Sequence, residues 1–348
     1  MFTLIKIGAP HLLVLFLFVT VMNGQSQNSP VDHMNLLSKR EEMLSGNYMS
    51  YMSEVAHGGR ARKMEKKRSE VIQAVRESIY EAGKMGAYKG DASLRDAYKQ
   101  YWTVLLNIFN EEYHKVVDME EVAEQSYDAM EAYLLIQEKA GDKLEGAYEK
   151  VTESYKAFAL NHQVRLLEAQ QTTLSKKLGQ TGSVNQYYNT VYLVFFKSYV
   201  QEEAMLKALN ANDLNGTEQG RGSMLKFAID GLERLDTMKA FQGDGSVISA
   251  CRNALTFYKS EAEQFSAITG FLISKEEFDK TKKSFDSKPA SKRTQKDVDE
   301  YNRLLKEYNN SINSYNKANS ALNTSRTKVL DNWEKARKKF FDVHVPHK

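Results

Sequence analysis

A seven-residue repeat near the C-terminus constrains the fold of this chain more than any other feature. The dipeptide Tyr-Asn recurs every seven residues, at Tyr301-Asn302, Tyr308-Asn309 and Tyr315-Asn316. Alternating steps of three and four residues from Val298 extend this repeat into a largely apolar series that ends at Val343, with plainly polar residues at Asn319 and Arg326. Such alternation is typical of a helix that packs along a partner helix. The sequence therefore predicts one long C-terminal helix.

The scarcity of proline allows other long helices as well. Of four prolines, three lie near the ends of the chain, and Pro289 alone interrupts the body. Because proline breaks helix interiors, this distribution permits helices of many turns. A second, less regular apolar series from Tyr127 to His162 supplies a packing partner in the same chain, and no stretch alternates as a strand would. We predict an all-α, elongated helical bundle with long coiled-coil-like helices.

Two similar segments indicate an internal duplication. The stretch "YKGDASLRDA" at 88–97 resembles "FQGDGSVISA" at 241–250, which lies 153 residues further on, and "AFALNHQV" at 157–164 resembles "KFFDVHV" at 339–345. Glycine ends helices, and Asp or Ser caps them, so two unrelated turns with common chemistry are the alternative. We predict two similar halves, 25–182 and 183–348. Glycine-rich or basic stretches predict helix connections at 58–59, 83–90, 179–183, 212–222, 242–246 and 286–297.

The first 24 residues have the pattern of an export signal. Lys6 precedes an apolar core of eleven residues, Leu12–Met22, which is shorter than the roughly 18 to 20 residues of a membrane span. An uncleaved anchor or a buried helix is the alternative. No later segment is long and apolar enough to cross a bilayer, so no transmembrane span is expected after signal removal. The single cysteine, Cys251, is expected to be buried, and no cysteine stands near the cleavage region for lipid attachment.

Catalytic and metal-binding patterns are weak. Glu111 and His114 have the Glu-x-x-His spacing of di-iron bundles, but such a site needs a second copy, and the corresponding stretch 261–267 contains no histidine. His162 is expected to be a hydrogen-bonded core residue. No nucleophile elbow, phosphate-binding loop, dinucleotide fingerprint or zinc-protease motif is present. We predict no catalytic, cofactor-binding or metal-binding residue and no enzyme activity. A net charge of +3 also argues against nucleic acid as a partner.

The Tyr-Asn repeat has two interpretations. The tyrosines occupy the second apolar position of each heptad, where their rings pack inward, and the asparagines flank this seam. The first interpretation is a structural seam, in which Asn319 and Arg326 fix the helix register. The second is a polar groove for a sugar or an extended peptide. The residues of this possible groove are Tyr301, Asn302, Tyr308, Asn309, Tyr315 and Asn316.

With its export signal, long helices and the segment "YNRLLKEYNNSINSYNKAN" at 301–319, the chain resembles helix-rich exported surface proteins of leptospires and Bacteroidetes. The resemblance implies a location in the periplasm or at the outer surface of a Gram-negative-type bacterium and brings no catalytic residue. We expect a non-enzymatic binding or structural protein with a protein or glycan partner in the cell envelope or the host. The alternative is a periplasmic bundle that binds a small ligand or a metal.

Overall fold

The computed structural model describes residues 29–57, 60–112, 124–166 and 172–347. α-Helix makes up most of this part of the chain, and it contains no strand, so the predicted all-α class is confirmed. The helices are, in chain order, α1 (Pro30–Ala56), α2 (Ala61–Lys84), α3 (Ser93–Asn107), α4 (Tyr127–Asn161), α5 (Thr173–Asn210), α6 (Leu214–Thr237), α7 (Ser246–Gln264), α8 (Ser266–Ser287) and α9 (Gln295–His344). A π-helical turn, Ile108–Glu112, continues α3, and a 3-10 turn, Ala290–Lys292, precedes α9. The predicted signal segment, 1–24, lies outside the described residues.

The helices are distributed over two compact units. Unit 1 comprises the described part of Met1–Asn189 together with Lys338–Lys348, and unit 2 comprises Thr190–Arg337. Helices α5 and α9 contribute residues to both units. The predicted halves, 25–182 and 183–348, were defined by sequence similarity, whereas these units are defined by packing. The halves therefore stay a prediction.

Aromatic side chains form much of the core of each unit. Trp102, Tyr133 and Phe158 are fully buried in unit 1. In unit 2 the indole of Trp333 lies parallel to the ring of Phe195, with the two centroids 4.4 Å apart and the planes 9° apart. Burial of a ring of this size contributes more to the stability of the fold than burial of an aliphatic side chain does. Each unit therefore contains one of the chain's two tryptophans, and its fluorescence can report on the unit that contains it.

The two units contain helices with matching bounds. Helices α2 and α6 have the same length, and both of their ends are separated by 153 residues, as are the first residues of α3 and α7. The backbone that leads into α3 bends between Tyr88 and Asp91, which exchange two backbone hydrogen bonds, and the same exchange joins Phe241 and Asp244 before α7. This separation of 153 residues is also the one at which the sequence segments 88–97 and 241–250 align.

The matching turns explain why glycine occurs in both. Gly90 and Gly243 have φ angles of +90° and +89°, in the left-handed region that a side chain disfavours. An aspartate follows each glycine, and its Oδ1 atom accepts a hydrogen bond from the first backbone amide of the next helix, at 2.9 Å before α3 and 2.8 Å before α7. Glycine thus permits the turn, and the aspartate, which stands one residue before the N-cap, satisfies the first backbone amide of the helix.

An arginine contact to a backbone carbonyl also recurs at this spacing. Arg68 on α2 is paired with Glu65 and donates from Nη1 to the carbonyl oxygen of Phe109 at 2.9 Å. Arg221 on α6 is paired with Glu218 and donates from Nη1 to the carbonyl oxygen of Ala262 at 3.3 Å. In each unit the arginine satisfies a carbonyl near the end of the following helix, where the helical ladder leaves acceptors unpaired.

Some of the predicted helix connections are wrong. Helix α5 runs unbroken through 179–183, and only the first residues of 212–222 connect two helices, because α6 begins at Leu214. Each glycine costs a helix about 1 kcal/mol, but packing offsets this cost. Leu178, Thr181 and Val184 are buried along α5, and Gln180 Nε2 donates to the carbonyl oxygen of His344 at 2.8 Å. By contrast, the turn at 242–246 and the connection at 286–297 are confirmed.

A close helix contact in unit 2 gives a first prediction. A Cβ atom added to Gly220 on α6 would lie 2.9 Å from the Cα atom of Met205 on α5, whereas one added to Gly222 would meet nothing within 4 Å. We expect Gly220→Ala to lower the free energy of unfolding by about 1 to 3 kcal/mol, because backbone has to move. Gly222→Ala should raise it by up to about 1 kcal/mol through helix propensity. Thermal denaturation of both variants checks this, and equal effects would contradict the close contact.

Candidate functional site

The tyrosines of the Tyr-Asn repeat pack against a matching series of phenylalanines on α8, and together they form the aromatic ladder. The phenylalanines are Phe271, Phe278 and Phe285, again seven residues apart. Phe271 lies 4.6 Å from Tyr315, Phe278 lies 5.2 Å from Tyr308 with the planes 9° apart, and Phe285 lies 4.6 Å from Tyr301, measured between ring centroids. These distances are typical of stacked aromatic pairs.

The ladder holds together a helical hairpin, α8 with the part of α9 up to Ala321, that is otherwise exposed. All of residues 273–321 are described, and among them only Phe278 and Leu304 are buried. At the connection, the guanidinium of Arg293 lies 4.2 Å from the centroid of Phe285 and closes the ladder by a cation–π contact. Ring faces that cover one another are not open platforms for a sugar ring. The tyrosines of the predicted groove therefore pack in the seam between the two helices and are only partly exposed.

The asparagines of the predicted groove form an exposed row, which we call the amide row. Asn302, Asn309 and Asn316 are all exposed on α9 beside the ladder. Seven residues of helix separate neighbouring amides by about 10.5 Å along the axis. Each amide offers two donors and an acceptor to a partner. The structure thus separates the six predicted groove residues into half-buried tyrosines, which pack, and exposed asparagines, which are available for binding.

A buried carboxyl group in unit 1 is surrounded by aromatic donors. Glu41 on α1 accepts hydrogen bonds from Trp102 Nε1 at 2.7 Å, from the Tyr101 hydroxyl at 3.2 Å and from the Ser45 hydroxyl at 3.3 Å. Burial raises the pKa of Glu41 to about 7, although the three hydrogen bonds act in the opposite direction. A carboxyl group in this position changes its charge near neutral pH.

A second buried group, the acid–arginine site, joins three helices of unit 2. It consists of Glu202 on α5, Glu261 on α7 and Arg326 on α9. Arg326 donates from Nε to Glu202 Oε1 and from Nη2 to Glu261 Oε1, and it also contacts Asn323 on its own helix. Both glutamate side chains are fully buried, and the arginine is 13% exposed. Two acids thus share one cation in a site from which water is largely excluded.

The second oxygen of each acid has no donor. Within the described chain, neither Glu202 Oε2 nor Glu261 Oε2 has a hydrogen-bond partner, and the buried hydroxyl of Tyr258 on α7 has none either. Burial and the adjacent Glu261 carboxyl raise the pKa of Glu202 well above its usual value, and Arg326 acts against them. Like charges at this proximity favour retention of a proton by the pair.

The remaining residues that the sequence singled out lie apart from these sites. Glu111 falls in the π-helical turn after α3, and His114 lies outside the described residues. His162 ends α4, where its Nε2 atom lies 3.0 Å from Asp91 Oδ2 in the turn before α3. Cys251 is buried on α7, and burial raises the pKa of its thiol. No three His, Cys, Asp or Glu side chains in the described ranges are arranged to hold a metal ion.

Sequence reasoning missed Glu41, Glu202 and Glu261. A signal for the last two was present, because Arg326 interrupts an otherwise apolar series and a cation in such a position needs an acidic partner. The phenylalanine series on α8 carried a clearer signal, since its seven-residue spacing equals that of the tyrosines. Glu41 lies among ordinary helix formers and carried no signal at all.

Comparison with protein families, with curated proteins and with solved structures gives no match. The resemblance to exported surface proteins therefore stays an expectation. Among the helices that the structure describes, none has the length and apolar character needed to cross a membrane.

Proposed function

We propose that this chain is an exported, non-enzymatic helical protein of the bacterial cell envelope that binds its partner through the α8–α9 hairpin. One observation carries the proposal for the hairpin. The aromatic ladder uses the inward faces of both helices, and the amide row remains exposed along α9. Export is supported by the basic and apolar pattern of residues 1–24, and the resemblance to exported surface proteins supports the envelope location.

The hairpin suits a binding role because its geometry is fixed before any partner arrives. Stacked rings restrain the two helices over six aromatic side chains, so the amides keep their spacing without a partner. A prearranged surface loses less entropy on binding than a flexible one. Amides at regular intervals match a polar partner with a repeating backbone, and we propose a glycan chain of the envelope as that partner. A protein of the envelope or the host is the alternative partner.

We also propose that the chain arose by duplication of a helical unit. Matching helix bounds, matching glycine-aspartate turns and matching arginine contacts at one separation of 153 residues support this proposal. Turn chemistry alone accounts for the glycines and aspartates, but it does not account for Arg68 and Arg221, which lie twenty residues before the turns begin. The long hairpin would then be an elaboration of the second copy.

Replacement of amides on and off the row tests the binding proposal. The variant Asn309→Ala with Asn316→Ala removes two amides of the row, and Asn310→Ala with Asn332→Ala removes two exposed amides from other faces of the same helix. Both changes favour helix formation, so both proteins should fold. We expect the first variant to lose at least tenfold in affinity for peptidoglycan isolated from the source cells, measured by co-sedimentation, and the second to bind as the unaltered chain does. Equal binding by all three proteins would contradict a role for the amide row.

A further inference from the structure

We propose that the acid–arginine site is a proton-operated lock, in which one proton shared by Glu202 and Glu261 keeps α9 packed against α5 and α7 in unit 2. Loss of this proton as the pH rises loosens α9 around Arg326. The two carboxyl oxygens that have no donor, Oε2 of each glutamate, supply the observation from which the proposal starts.

The geometry leaves a position for one proton. The two Oε1 atoms are occupied by Arg326, which donates to both. Because one guanidinium holds both of them, the two carboxyl groups are neighbours, and their mutual interaction raises the pKa of Glu202. Two carboxylates are acceptors only, so this contact becomes a hydrogen bond only if one of them is protonated. A single proton thus removes one buried charge and supplies the missing donor.

The charge balance of the surroundings favours the same state. With both acids ionised, the site carries two negative charges and one positive charge in a largely dry interior, whereas one proton makes it neutral. Other polar groups beside it are the hydroxyl of Tyr258 on α7, on which Tyr199 of α5 also acts, and the amide of Asn323 on α9. On α6, Arg221 is directed to Glu218 and to the carbonyl oxygen of Ala262, so its charge is partly compensated there.

The direction of the pH effect follows from proton linkage. Burial and the adjacent Glu261 carboxyl raise the pKa of Glu202, so an unfolded glutamate releases its proton at lower pH than the folded Glu202 does, and the folded state holds the extra proton between these two values. Folding stability therefore falls as the pH rises through this interval, by up to a factor of about ten in the unfolding equilibrium constant for each pH unit. Below the interval the lock is closed, and above it two buried carboxylates face one arginine.

The test compares Glu202→Gln with the unaltered site. Glutamine has the shape of a protonated glutamate and cannot lose the proton. Both proteins carry Trp102→Phe, so that Trp333 alone reports on unit 2, and denaturant unfolding is followed by its fluorescence from pH 5 to pH 9. Glu203→Gln removes an adjacent exposed acid and is the matched control. At pH 8.5, digestion with trypsin near Arg326 is measured on the same proteins.

We expect the unfolding equilibrium constant of the protein with the unaltered site to rise at least tenfold, relative to that of Glu202→Gln, between pH 5 and pH 9. At pH 8.5, trypsin should cut α9 faster in the protein with the unaltered site. The Glu203→Gln control should follow the unaltered site in both measurements. Parallel pH profiles for the unaltered site and Glu202→Gln would overturn the lock, because both acids would then keep one charge state throughout. Destabilisation of Glu202→Gln by the same amount at every pH would also overturn it.

Discussion

The Arg326→Met variant is expected to lose about 3 to 5 kcal/mol of the free energy of unfolding of unit 2 at pH 8. Removal of one partner from a buried ion pair leaves uncompensated charge in the interior, and losses of this size are typical. Methionine keeps most of the side-chain volume, so the loss of stability results from the removal of the charge and not from a cavity. At pH 5 the loss should be smaller, because burial and the adjacent carboxyl raise the pKa of Glu202 well above its usual value, so that this acid is then protonated. Denaturant unfolding followed by Trp333 fluorescence measures it.

Arg303→Met is the matched control on the same helix. Arg303 also pairs with two glutamates, Glu300 and Glu307, but all three side chains are about half exposed. Water screens such pairs, so their contribution to stability is small. We expect no measurable change in unfolding for this variant. A loss for Arg326→Met no greater than that for Arg303→Met would show that the acid–arginine site is not a buried ion cluster.

Glu41→Gln is expected to stabilise unit 1 above neutral pH. The pKa of Glu41 is raised from 4.5 to about 7, so the folded state binds a proton that the unfolded state releases between these values. Glu41 therefore lowers stability progressively from about pH 4.5 to pH 7, by about 3 kcal/mol in total if each pKa unit counts 1.36 kcal/mol. Glutamine removes this loss and retains an acceptor for Trp102 and a donor for the hydroxyls.

The measurement uses Trp102 as the reporter, in a background that carries Trp333→Phe. We expect the stability of Glu41→Gln relative to the unaltered chain to increase by about 3 kcal/mol between pH 4.5 and pH 8. Glu42→Gln changes the next, exposed residue and should leave the profile unchanged. A constant difference between Glu41→Gln and the unaltered chain over this range would mean that Glu41 keeps one charge state.

The sequence was sufficient to predict the helices whose apolar spacing is regular. The 3-4 series in 298–343 falls in α9, and the glycine-aspartate turns before α3 and α7 follow from local backbone chemistry. The connection predicted at 179–183 was wrong because glycine propensity is a local property, whereas the buried side chains around it stabilise α5 through packing. Helix propensity is a weak guide to structure where the burial of side chains determines whether a helix is stable.

The buried acids show a second reason why prediction from sequence is incomplete. Glu202, Glu261 and Arg326 are separated by 59 and 65 residues, and nothing in the local pattern of α5 or α7 shows that these helices bring two acids to one arginine. Contacts between distant segments depend on the packing of whole helices. The amide row, by contrast, lies on one helix, so its exposure followed from the same periodicity that placed the tyrosines in the seam.

The location of the protein in the cell tests the central proposal most directly. Protease is added to intact cells, to cells with a permeabilised outer membrane and to lysed cells, and the chain is detected with an antibody while a cytoplasmic protein serves as the marker. An exported envelope protein should be digested on intact cells or after permeabilisation of the outer membrane, while the marker survives. Digestion only after lysis, together with the marker, would contradict export and with it the proposed binding role in the envelope.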